Sequence, residues 1–298
     1  MRAFTNILLV FLFTACTSVP DERMTSYVDF PETRELTART LSLDSALFRY
    51  PYRVRVQDDK AVVLDLHGTE YFFHAFHYPG FHYLSSFGKR GDAPEEMLSA
   101  ENLRWNGNFL WTLDSNKSEL TRLGFASSGD SLLRLEAVSL DEELLRALDF
   151  VQYDDSTFII PDYSGDGRFC LVSRQGKLLR KIGTVPTANE DALKSARPAL
   201  AQAWRSFIDY NPRNGVLAAA TQLGEVLEIY NLKDSTHIVR IGPNGEPEFQ
   251  ISQGYGIPIG IMGFSDIQVT DSAIYVVFQG RAFKDIMQKA QQGINLPD

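Results

Sequence analysis

The chain has 298 residues, 44% hydrophobic, 12% aromatic and 22% charged, with 21 Gly and 13 Pro, a balance that excludes disorder, collagen and coiled coil. With 29 Lys and Arg against 38 Asp and Glu the net charge is −9, and an acidic chain lacking a basic stripe excludes nucleic acid as a partner. Two Cys and five His are too few for a disulfide framework or an extended metal cage.

Met1 and Arg2 precede an unbroken apolar run at residues 7–13, ILLVFLF, and then Thr14, Ala15 and Cys16. A charged start, a short apolar stretch and small residues before a cut describe a secretory signal peptide, too short to span a bilayer. The sequence Phe13-Thr14-Ala15-Cys16 resembles the lipobox of bacterial lipoproteins, in which the Cys is acylated, although Phe13 replaces the usual Leu. The expected organisation is therefore a signal peptide over 1–15, a lipidated polar tether over 16–37 with Cys16 as the attachment point, and a domain over 38–298. Multiple acyl chains would hold that domain at a membrane surface outside the cytoplasm, in the bacterial envelope. Cys170, inside an apolar run at 168–172, is then a buried and inert free thiol.

The rest of the chain repeats. Five apolar runs (AVVLDL from Ala61, FLWTLD from Phe109, TFIIPD from Thr157, VLAAAT from Val216 and AIYVVF from Ala273) each follow a turn rich in Asp, Asn or Gly. A short strand precedes each turn, around Arg55, Arg104, Val151, Ile208 and Gln268, so each unit opens with a hairpin. A second hairpin follows in the first four units, reversing near Gly80, Gly129, Gly176 and Asp234, at spacings of 49, 47 and 58 residues. Four-stranded antiparallel units recurring at this period predict an all-β β-propeller, because a sandwich gives no reason for one unit to recur. The longest spacing holds a helical insert between blades 3 and 4: Thr187-Ala188-Asn189-Glu190 has capping-box spacing, and Pro198 breaks or restarts the helix. The fifth unit stops after one hairpin and runs into a stretch, 284–293, without strand alternation. Either residues 36–43 complete the last blade or the domain is C-terminally incomplete; the second is the expectation, since so few blades close poorly.

The stretch Ser86-Phe87-Gly88-Lys89-Arg90-Gly91-Asp92-Ala93-Pro94-Glu95-Glu96-Met97 resembles the inter-blade motif FGxxGxGPGEF of the TolB-like six-bladed β-propeller lipoproteins of bacteria. Residues 241–249 repeat it more loosely and Lys181-Ile182-Gly183 keeps its start, while Ala93 and Glu95 replace Gly. The resemblance covers about residues 36–280. It implies six blades, secretion and a lipid anchor, and supplies no catalytic residues.

Motifs for chemistry are sparse. His67, His74, His77 and His82 cluster, but His74 and His77 fall on opposite faces of a strand; only His77 and His82 can meet, across a turn, and two His make no metal centre. Asp162-Tyr163-Ser164-Gly165-Asp166-Gly167 begins like an EF-hand loop, but its twelfth position is Ser173, so a polar turn is expected. No nucleophile elbow, phosphate loop or dinucleotide fingerprint occurs, so no cofactor and no metal is expected.

Innermost propeller strands line the axis. Aligning the units on their first turns places Val54, Asn102, Phe150 and Asp266 at one level, joined by Asp209 if Pro212 is an insertion, and Val56, Arg104, Gln152 and Gln268 at the next. Asn102, Arg104, Gln152, Asp209, Asp266 and Gln268 are the candidate channel or ligand-binding groups, whose plainer role is to bond neighbouring blades. The expected function is a membrane-anchored binding or scaffold propeller presenting a face to an envelope protein, peptide or glycan. The alternative is a metal-dependent enzyme of the lactonase or lyase type, as other six-bladed propellers support, for which Asn102, Asp209 and Asp266 are present but no matched Glu.

Overall fold

A computed structural model describes residues 22–41, 43, 48–129 and 131–293. The expected signal peptide and Cys16 lie outside the described residues. A first strand, β1 (Glu22–Ser26), precedes the blades in the chain. Blade 1 is β2 (Pro51–Gln57), β3 (Lys60–Asp65), β4 (Tyr71–His77) and β5 (His82–Lys89). Blade 2 is β6 (Ala100–Asn106), β7 (Phe109–Asp114), β8 (Glu119–Phe125) and β9 (Leu132–Ser139). Blade 3 is β10 (Val151–Asp154), β11 (Thr157–Pro161), β12 (Phe169–Ser173) and β13 (Leu178–Ile182). The helices α1 (Glu190–Ser195) and α2 (Arg197–Ala203) follow. Blade 4 is β14 (Ser206–Asn211), β15 (Val216–Thr221), β16 (Val226–Asn231) and β17 (Thr236–Ile241). A small hairpin, β18 (Phe249–Ser252) and β19 (Tyr255–Pro258), leads to the two strands of the fifth unit, β20 (Ile261–Val269) and β21 (Ile274–Ala282), and α3 (Phe283–Gln291).

Each of the four complete blades pairs its strands antiparallel in chain order. Alternate side chains of each second strand then pack against opposite neighbours. Leu217 and Ala219 of β15 join Val151, Ile159 and Phe169 of blade 3, whereas Ala218 and Ala220 join Phe264, Ile267 and Val269 of the fifth unit. Phe158 and Ile160 of β11 turn instead to Trp111 and Leu113 of blade 2, and Val62 and Leu64 of β3 meet Leu103 and Leu110. Burial on both faces is why these strands appear in the sequence as unbroken apolar runs rather than as alternation. Chains of inter-blade cores arranged this way are the radial packing of a propeller.

Three of these runs, at β3, β7 and β11, end in a structural Asp. Asp65, fully buried, accepts the N–H groups of Arg49 and Tyr50, each at 2.6 Å. Asp114 likewise accepts those of Leu98, Asn116 and Lys117 at 2.7, 3.0 and 3.0 Å. Asp162 holds Ser164 and Gly167 at 3.0 and 2.8 Å, so the EF-hand-like stretch is a turn closed by its own groups, with Lys181 on Asp166 at 3.0 Å.

Three local expectations change. Residues 22–26, within the stretch expected as tether, form β1, which pairs parallel with β17 on the outer edge of blade 4. Residues 36–41 form no strand, and Leu43 and Phe48 instead cover Ala61, Val63 and Phe76 on one face of blade 1. The insert is helical, but not through a capping box: Asn189 caps α1 by accepting the Ala192 N–H at 3.0 Å, while Thr187 accepts from Asn189 and donates to Glu246. Pro198 restarts the chain as the first turn of α2. Gly256 of β19 lies against this helix, where a Cβ would come within 2.5 Å of the Ala199 carbonyl oxygen.

Candidate functional site

The first strands of the blades converge on an axis filled by three arginines and three aspartates. Arg104, on β6, reaches across it: Nη1 donates to Asp209 Oδ1 at 2.6 Å, Nη2 to Asp149 Oδ1 at 3.1 Å and to the Ile208 carbonyl, and Nε to the Phe150 carbonyl at 3.1 Å. Asp149 stands just before β10 and also accepts the N–H groups of Phe150 and Ile208, at 2.7 and 3.0 Å, and the Asn102 amide. Asp209 on β14 accepts the Val269 N–H at 2.6 Å. Asp266 on β20 takes a two-pronged contact from Arg55 on β2, 2.7 Å at each oxygen, with Arg53 Nε at 3.4 Å. The Trp105 indole donates to the Arg55 carbonyl at 3.3 Å. The network thus runs from blade 2 to 3, 4, the fifth unit, blade 1 and back.

Its charges balance by proximity. Burial alone would raise the Asp266 carboxyl, but the Arg55 hydrogen bonds, with the charges of Arg53, Arg55 and Arg104, bring it down to about 2. Burial works against charge on Arg104 too, and Asp149, Asp209 and Asp266 outweigh it, holding the guanidinium above its usual range. Asp209 is so enclosed that burial prevails over Arg104 and its carboxyl moves up. Arg53 is lowered by burial, which Asp266 offsets only in part; its Nε and Nη2 lack hydrogen-bond partners, and its guanidinium lies 4.8 Å from the Phe207 ring. Every axial carboxylate therefore faces at least one guanidinium, and a cation placed there would meet three. Among the described residues no group of three or more His, Cys, Asp and Glu is arranged to hold a metal ion.

Of the six residues proposed from the sequence, Asn102, Arg104, Asp209 and Asp266 belong to this network. Gln152 sits nearer the turn, accepting from Asn106 and donating to the Asp154 carbonyl at 3.0 Å, and Gln268 is exposed. The alignment of levels is corrected by one residue at two blades. Asp58 and Gly107 both have positive φ, 51° and 54°, and so occupy the same place in their turns. Arg53 and Arg55 then match Asn102 and Arg104, while Val54 and Val56 point out, 44% and 42% exposed. In blade 3 a bulge between Gln152 and Asp154 adds a residue, so Asp149 rather than Phe150 takes that level. Turn geometry was the signal that identifies the missed Arg53, Arg55 and Asp149.

The other polar candidates are dispersed. His77 and His82 are direct cross-strand partners; His74 is buried with Nδ1 2.8 Å from Ser86 Oγ. Cys170 is buried and free, and desolvation pushes its thiol up to about 12.

A family model described as TolB-like 6-blade propeller-like matches residues 29–296. A Bacteroides fragilis protein described as exported superposes with a TM-score of 0.54 at 12% identity, covering 87% of this chain and 75% of that one. Virginiamycin B lyase from Staphylococcus aureus gives 0.44 at 12% identity, over 76% and 63% of the two chains. A member of the duf4221 family from Bacteroides vulgatus gives 0.46 at 11% identity, over 77% and 67%. At these identities the likeness concerns the fold. No curated protein matches the sequence.

Proposed function

The chain belongs to the TolB-like six-blade propeller family, and from that premise we propose that it is a non-catalytic binding propeller, anchored through Cys16 to a membrane of the bacterial envelope. The observation that carries the reading is the axis. In a propeller enzyme, carboxylates there must remain available to a metal or a substrate. Here Asp149, Asp209 and Asp266 are each engaged by arginine and by backbone N–H groups. The lactonase-like alternative would need Asn102, Asp209 and Asp266 as ligands, yet Asn102 bonds Asp149 and the two acids carry Arg104 and Arg55. Binding of an envelope protein, peptide or glycan then falls to the outer surfaces between blades. The lipobox-like end at Cys16 supports the anchor.

Mass spectrometry of the mature chain from a membrane fraction tests this reading. A chain beginning at acylated Cys16, with no stoichiometric metal, is the expected result. An unprocessed chain starting at Met1, or a bound metal lost in Asp266→Ala, contradicts it.

A further inference from the structure

Between blades 2 and 3, at the end where the first two strands of each blade turn, lies a cavity of about 420 Å³. Two arginines form its base. Arg122 of β8 lies 4.7 Å from the Phe109 ring, and Arg174, just after β12, lies 4.4 Å from that of Trp111. A guanidinium resting on an aromatic face keeps its N–H groups in the plane, directed outward from the stack. Both arginines depend on one carboxylate oxygen, Glu136 Oε2, at 3.2 Å from Arg122 Nε and 2.5 Å from Arg174 Nη2. Among the described residues that ion pair is the only one Arg122 makes to an acid; it lacks hydrogen-bond geometry, so Arg122 Nε, like Arg174 Nη1, has no hydrogen-bond partner. Within ion-pair distance the two guanidiniums share this one carboxylate, so their remaining N–H groups are open to a further acceptor.

The walls are amides and one acid: Asn106, Asn108, Gln152 and Asp155. Asn106 and Gln152 are bonded to each other, which fixes both side chains. The Asn108 side chain bonds to no other described residue. Such a set offers donors and acceptors to hydroxyl groups, beside guanidinium N–H groups suited to a two-pronged carboxylate.

We propose that this cavity binds an acidic sugar, a hexuronic acid whose carboxylate docks on Arg122 and Arg174 and whose hydroxyls meet Asn108, Gln152 and Asp155. The site rests on the reading of the chain as a binding propeller and gives that propeller a ligand class. Asp155 is an acceptor for hydroxyl hydrogens, which a bare anion lacks, and so favours a ligand with hydroxyls to donate.

Calorimetric titration of the full chain with glucuronate tests the site, with glucose and acetate as the neutral and hydroxyl-free controls. Glucuronate should bind on the order of tenfold more tightly than either control. Arg122→Gln should weaken it about tenfold or more with the melting temperature retained, because this side chain is partly exposed. Should that variant unfold, Asn108→Ala, on an exposed turn, is expected to weaken binding severalfold without touching the fold. No heat at about 10 mM glucuronate, equal binding of acetate, or affinity unchanged in both variants overturns the site. That failure is separable from failure of the anchored reading, which turns on the state of Cys16 and on metal content.

Discussion

Arg104 is the residue on which the axis depends most. Removing it leaves Asp149, 1% exposed, as a buried charge with only neutral donors. Arg104→Met is therefore expected to cost about 3–5 kcal/mol in urea unfolding, whereas an isosteric loss at a surface ion pair such as Lys194–Glu190 would cost well under 1 kcal/mol. Asp266 carries a pH signature. Its folded carboxyl titrates near 2 against an ordinary 3.8, so it contributes stability that is complete above about pH 4 and is lost as pH falls toward 2. Unfolding measured across that window should show wild type losing about 2 kcal/mol more than Asp266→Asn. Cys170 makes a third test: with its thiol pushed up to about 12 and buried, it should resist iodoacetamide at pH 8 in the folded chain and react on unfolding. Aligning the units on their first turns pointed to Arg104 and Asp266, but Arg53, Arg55 and Asp149 were hidden by a one-residue slip. Residues on a strand alternate faces, so an error of one at a turn or bulge exchanges an axial group for a neighbour.

Strands were legible where burial is two-sided. The runs at β7, β11 and β15 are apolar throughout because each supplies two inter-blade cores, and that at β3 because it supplies one and is covered by Leu43 and Phe48 on its other face; Asp65, Asp114 and Asp162 repeat at the ends of three of these runs. β1 was not legible, because ERMTS shows neither alternation nor an apolar run, and its place depends on the edge offered by β17. Tyr27, just beyond β1, donates to Glu225 Oε1 at 2.7 Å and helps fix that strand. Helix α1 was legible in extent but not in its cap, since Thr187 and Asn189 are both good cap residues and only packing against Glu246 decides between them. Asn189→Ala is expected to cost about 1 kcal/mol, and Thr187→Ala to act through Glu246 rather than through helix propensity. Thermal melts of the two variants, each combined with Glu246→Gln, separate the roles: only the Thr187 effect should depend on Glu246.

At the scale of the molecule, period and turn chemistry were enough to anticipate four blades, a helical insert and a half-blade, while the closure of the ring lay beyond them. Closure is long-range: Arg55 and Asp266 are 211 residues apart, and no local pattern pairs them. The fifth unit has two strands where its neighbours have four, and the outward face of β21 exposes Tyr275 and Val277 at 63% and 57%. The fifth unit is held to blade 4 by a core of Phe207, Ala218, Ala220 and Phe264, and to blade 1 at the axis by the Arg55–Asp266 pair. A double-mutant cycle on Arg55→Met and Asp266→Asn, read by urea unfolding at pH 7, measures that closure directly. A coupling of about 1–3 kcal/mol is the predicted result; single-mutant effects that add to within about 0.5 kcal/mol would contradict an axis joined from the last unit to the first.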